Sequence, residues 1–353
     1  MDKKPLPAGV ESIDTCETGN EYNGRLGLRI SSIFVIMAGS MIATIAPILA
    51  ARFQGKNSTG SAFYSWAIFI AKYFGSGVII ATAFIHLLAP AEEALRNECL
   101  TGIITEYPWV EGIILMTIVV IFAVEFSAVR YSLSQQEVRQ SMDNNAQGPD
   151  GTVDHPSHAT QGLPIQDNLS KPCKNISAEI ISPVSTLSAE YAAQLTGIFF
   201  LEFGIIFHSI FIGLTLAVAG AEFTTLYIVI FFHQTFEGVG LGSRLATVPW
   251  PKPKRSTPYI LGIAYSVTTP VAIAIGLGVS STYPPSARTT LIVNGVFDSI
   301  SAGILIYTGF VELIAREFVF NHEMRTAPLG TVLSAFTFIC LGAGLMALLG
   351  KWA

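Results

Sequence analysis

Residues 202–216 read EFGIIFHSIFIGLTL, and residues 231–242 read FFHQTFEGVGLG. Both stretches are apolar enough to lie in a membrane, yet each carries groups that hydrocarbon rejects. A carboxylate or imidazole at mid-membrane is costly, so it faces a cavity, a partner or a bound cation. His233 and Glu237 are four residues apart, which stacks them on one face of an α-helix. Together they supply two legs of a tetrahedral divalent-cation site. His208 on the neighbouring span supplies a third, with Ser209 or water completing the set; Gln234 lies beside the pair, turned by about 100°. Nitrogen and oxygen ligands without thiolate suit an exchangeable Zn or Fe. Glu202 shares a face with Ser209 but stands about 10 Å away along the axis, which assigns it to the pathway or to the groups behind the ligands. The glycines that follow each cluster (Gly213, then Gly238, Gly240 and Gly242) are expected to let the two ligand-bearing helices approach closely.

The rest of the chain agrees with a membrane setting. It has 353 residues, 51% hydrophobic and only 13% Asp, Glu, Lys and Arg, about half the usual charge of a soluble domain. Mean hydropathy is +0.53. The formal net charge of -5 offers no basic field for a phosphate backbone, so nucleic acid is excluded as a partner and the lipid bilayer takes its place. About 20 apolar residues cross a bilayer. Five charge-free runs meet that need: 30–51, 73–91, 203–221, 256–287 and 326–350. Three more admit charges, 112–124 between Glu111 and Glu125, 223–245 with Glu237, and 289–311 with Asp298. The fold class is therefore an all-α polytopic membrane protein. Eight transmembrane helices are expected in a 3+5 arrangement around a long cytosolic loop.

That loop is residues 131–189, rich in Asn, Gln, Asp, Ser, Gly and Pro without apolar periodicity. It separates helices one to three (30–130) from helices four to eight (190–350), with residues 1–29 as an external N-terminal segment. Residues 1–24 are polar and acidic and lack a signal-peptide pattern. Placing both termini outside puts 13 Lys and Arg on the cytosolic side and 7 on the other, as the positive-inside rule prefers. His86, in AFIHLLAP near the outer end of the second span, and Glu92 and Glu93 just beyond it could gather a dication at the mouth. Asp298 is a pathway group, with a plain interhelical hydrogen bond as the other reading. His155 and His158 could capture metal weakly in the cytosolic loop. Cys16 and Cys99 both fall outside and could pair, or both remain thiols.

The two quoted stretches resemble the paired signature of the ZIP family, the zinc- and iron-regulated transporter-like proteins, and particularly its fungal and plant branch. Supporting similarity runs through GSMIATIAPIL, GVIIATAFIHLLAPAEEAL and SAGILIYTGFVELIA. The resemblance implies eight helices, both termini extracellular, a plasma-membrane address, and a metal path through helices four and five. It implies Zn2+ or Fe2+ as transported substrate rather than prosthetic group, moved toward the cytosol, with transport-site positions at His208, Ser209, His233, Gln234 and Glu237. Some members have Asn after the first histidine and a carboxylate three residues later, making a two-metal centre. Here those places hold Ser209 and Ile212, so a single transport ion is expected.

Other readings explain less. No Lys lies inside a late span to carry a photoreceptor's Schiff base, and His233 is followed by Gln234, not by the Glu of a hydrolytic HExxH site. An enzyme is not expected. A metal sensor without flux would use the same ligands and stays open, as does the choice between monomer and homodimer.

Overall fold

A computed structural model describes residues 19–20, 22–53, 61–146, 183–280 and 284–352. Every regular element among the described residues is helical: α1 (Leu26–Phe53), α2 (Ser61–Ala81), α3 (Ala89–Leu95), α4 (Ile103–Glu106), α5 (Trp109–Ala146), α6 (Pro183–Val218), α7 (Phe223–Thr247), α8 (Thr257–Gly278), α9 (Arg288–Tyr307), α10 (His322–Arg325) and α11 (Leu329–Leu349). Two π-helical segments continue helices, Thr82–Leu88 joining α2 to α3 and Thr308–Phe320 extending α9, and Lys252–Lys254 is a single 3-10 turn. Helices satisfy their own backbone groups, which hydrocarbon requires.

Among the described residues, seven helical stretches are long and apolar enough to cross a membrane: Leu26–Arg52, Ala62–Leu95, Trp109–Gln135, Tyr191–Val218, Lys252–Gly278, Arg288–Phe320 and Leu329–Leu349. The chain is a polytopic helical membrane protein. The remaining expected span falls on α7, which has 25 residues but spends hydropathy on His233, Gln234, Glu237 and Arg244.

Three boundaries differ from the sequence reading. The second span was expected to begin after Lys72, but the helix starts at Ser61, because the Lys72 ammonium is neutralised by Glu317 at 2.5 Å. The seventh runs past residue 311 to Phe320, carrying Glu312, Arg316 and Glu317 in paired form. The expected loop loses both ends to helix, since α5 continues to Ala146 and α6 begins at Pro183. Its interior, with His155 and His158, lies outside the described residues.

The chain divides into two units. The larger, Met1–Glu125 with Gln194–Ala353, holds the packed helices. Within it α1 packs on α7 and α8, α2 on α7 and α11, and α3 with its π-helical lead-in on α9. The smaller, Phe126–Ala193, carries the last turns of α5 and the first of α6.

Close helix approach rests on missing side chains. A Cβ on Gly242 would lie 2.2 Å from the Thr44 carbonyl oxygen, and one on Gly75 would lie 2.2 Å from the Gly240 Cα. The glycines after the polar clusters were expected to draw the two ligand-bearing helices together. Instead Gly213 meets Thr269 and Ala272 of α8, Gly238 and Gly242 meet α1, and Gly240 meets α2. The reason is that α7 is central, with small-residue contacts on several sides.

Arg29, fully buried, locks the start of α1 to the end of α6. Its guanidinium donates to the carbonyls of Leu216 (3.1 Å), Ala217 (2.7 Å) and Ala219 (2.5 Å) and lies over the Tyr22 and Phe223 rings. These are carbonyls a helix C-terminus leaves without intrahelical partners, at the negative end of its dipole. Cys99 is disulfide-bonded; Cys16 and Cys173 lie outside the described residues, and Cys340 is a free, exposed thiol.

Candidate metal site

On α6 and α7 the 3.6-residue period turns His208, His233 and Glu237 inward, where they are 2%, 1% and 0% exposed. His233 Nε2 and Glu237 Oε1 are 3.2 Å apart. One ligand atom from each of the three side chains lies within 4.8 Å of the others. Two ligands of a tetrahedral ion, each about 2.0–2.1 Å from it, stand about 3.3 Å apart. The α7 pair already has that separation, and His208 offers its ligand atom within 4.8 Å of both.

Both ring nitrogens of His208, Nε2 of His233 and both oxygens of Glu237 are buried without an aligned hydrogen-bond partner. Buried polar atoms are normally paired. An unpaired set that converges on one point matches the chemistry of a cation site, because each side chain offers a lone pair there and no Lys or Arg among the described residues claims it.

Ser209 and Gln234, fully buried beside the cluster, bond to one another: Gln234 Nε2 donates to Ser209 Oγ at 3.2 Å. Behind them the Tyr265 hydroxyl donates to the Gln234 carbonyl at 2.7 Å and ties α8 to α7 at this level. His208 Nδ1 lies 3.9 Å from Asp298 Oδ1 on α9, so Asp298 faces a cluster imidazole. His86, expected near the outer end of its span, is buried in the π-helical segment, its ring 4.7 Å from that of His233. Its Nε2 contacts the Met346 carbonyl at 3.0 Å, and a carbonyl accepts, so that nitrogen carries hydrogen and Nδ1 presents a lone pair. A cavity of about 240 Å³ joins His86, His208, His233, Asn294 and Asp298 with Pro90 and Ala94.

Glu92 and Glu93 do not line this cavity. Glu92 pairs with Arg96 at 2.7 Å, and Glu93 is exposed. Glu202 is buried on α6, six residues before His208.

Sequence reasoning missed a second polar group. Lys72, Arg244, Glu312, Arg316 and Glu317 line a cavity of about 160 Å³ with Gln194 and Gly197. Glu317 bridges Lys72 at 2.5 Å and Arg244 at 3.4 Å, while Arg316 holds Glu312 at 2.8 Å and Glu125 at 3.6 Å. The signal was present: Arg244 and Glu312 are as anomalous in apolar helices as Glu237. The partners are far apart in sequence, so no spacing rule joins them.

The family model described as ZIP Zinc transporter matches residues 26–350. The chain is 38% identical to zinc-regulated transporter 2 of Saccharomyces cerevisiae, over 99% of this chain and 99% of that protein. It is 41% identical to zinc-regulated transporter 1 of the same yeast, over 95% and 90%. Zinc-regulated transporter 1 of Schizosaccharomyces pombe is 39% identical, over 95% and 88%.

Proposed function

This chain belongs to the ZIP zinc transporter family, and on that premise we propose that it moves Zn2+ into the cytosol through the His208–His233–Glu237 cluster. Members of the family are transporters, not enzymes. The observation that carries the reading is the convergence of three buried, otherwise unpartnered ligand atoms within 4.8 Å. Fe2+ is a second substrate, since imidazole and carboxylate suit both ions. The proposal includes eight spans with α7 as the fifth, both termini extracellular, a plasma-membrane address, and residues 1–29, 30–130, 131–189 and 190–350 as the divisions of the chain.

Hydrated metal enters the cavity that His86, Asn294 and Asp298 share with the cluster. His208, His233 and Glu237 replace part of its water, and Gln234 and Ser209, bonded to each other, hold the two helices in register. Release follows toward Glu202 and the cavity lined by Glu312 and Glu317. All three ligands bind metal only when deprotonated, so acid weakens the site.

The rival is a sensor that binds metal without flux. Vesicles reconstituted with the full chain and loaded with a zinc-reporting dye separate the two. Transport predicts a lumenal signal that rises with external Zn2+ and saturates; a sensor predicts bound zinc with no lumenal signal, which contradicts the proposal.

A further inference from the structure

Along the line from the cluster to the inner cavity, every carboxylate among the described residues but one has a histidine, lysine or arginine at 3.9 Å or less. Glu237 has His233, Asp298 faces His208, Glu312 has Arg316, and Glu317 has Lys72 and Arg244. Glu202 is 4% exposed, and neither of its oxygens has a hydrogen-bond partner. It stands about 9 Å from His208 along α6, beside Leu201, which lines the inner cavity.

Among the described residues no cationic side chain pairs with Glu202. Ile198 and Ile205, one turn to either side, belong to a core cluster with Leu241 and Leu245 of α7, Tyr265 of α8 and Ile304 and Leu305 of α9. Of these side chains Tyr265 is the titratable one, and it stands near enough to both Glu202 and Glu237 to feel their charge. The Tyr265 hydroxyl donates to the Gln234 carbonyl, so its hydrogen is committed elsewhere. An ionised carboxylate buried without a cation or donor is costly enough that the group neutralises instead.

We propose that Glu202 is a proton-binding site between the metal cluster and the inner cavity, emptied each time a dication passes inward. This rests on the transport reading above. The step breaks the carboxyl O–H bond: Glu202–CO2H becomes Glu202–CO2⁻, the proton passes to water in the inner cavity, and the dication meets a carboxylate in its place. Nothing is oxidised or reduced. Once the metal has left, the carboxylate takes a proton back from the cytosolic side.

The test is zinc uptake by vesicles bearing the full chain, at fixed external pH and lumenal pH varied from 6 to 8, with the cytosolic face inward. The wild-type rate is expected to fall several-fold toward acid lumen. Glu202→Gln, a permanent stand-in for the protonated group, is expected to be slow and flat, matching wild type at the acid end. Glu202→Asp keeps the carboxyl and is expected to retain the dependence. A Glu202→Gln protein that keeps the wild-type response overturns the assignment, as does a Glu202→Asp protein that is folded, active and flat. Wild type that moves no zinc overturns the transport reading itself, a separate failure.

Discussion

His208 has two ring nitrogens and no hydrogen-bond partner for either, so its orientation depends on what lies beside it. Asp298, 3.9 Å from Nδ1, is the carboxylate that would hold that nitrogen in its protonated tautomer and leave Nε2 free for metal. Such partners commonly orient metal-ligating histidines, and losing one costs 10–100-fold in affinity. Asp298→Asn is therefore expected to weaken Zn2+ binding by about tenfold, measured by competition with a chromogenic chelator, while Zn2+ uptake survives at raised concentration. Unchanged affinity would return Asp298 to the plain interhelical role that the sequence also allowed. His208, His233 and Glu237 were legible as a group because hydrocarbon makes every polar side chain conspicuous and the helical period says which share a face. Tyr265 was not, since a hydroxyl bonded to a backbone carbonyl leaves no pattern in sequence.

Among the elements, α7 carries His233, Gln234 and Glu237 of the cluster at a cost in hydropathy, so among the described residues it is the long helix whose apolar character falls short of a clear span. It is held by contact with α1 and α2, and the glycines set how near they come. Packing in a membrane has little hydrophobic drive between helices, so close van der Waals fit matters more. Gly242→Ala places a methyl 2.2 Å from the Thr44 carbonyl. It is expected to destabilise the protein by about 1–3 kcal/mol, seen as a lower unfolding temperature in detergent, whereas Gly344→Ala, which meets open space, leaves the temperature unchanged. Element existence was readable from apolar runs. Element ends were not: the helix through Lys72 and the one through Arg316 and Glu317 continue because charges far apart in sequence neutralise one another. A reading that stops at each charge misses that cooperation.

For the molecule as a whole, the cluster lies between a cavity shared with His86 and Asp298 and the approach to a second, charged cavity lined by Glu312 and Glu317. An ion that crosses by this route has to shed water at His208, His233 and Glu237 and regain it beyond Glu202. Binding alone does not establish that passage, and passage alone does not establish the ligands. The most direct test joins them: initial rates of radiolabelled Zn2+ uptake into vesicles carrying equal amounts of wild type, His208→Ala, His233→Ala and Glu237→Ala. The account predicts at least about a tenfold loss for each variant, in line with the cost of disturbing a metal's ligand shell. Wild-type uptake by any one of the three, at matched folded protein, would contradict it.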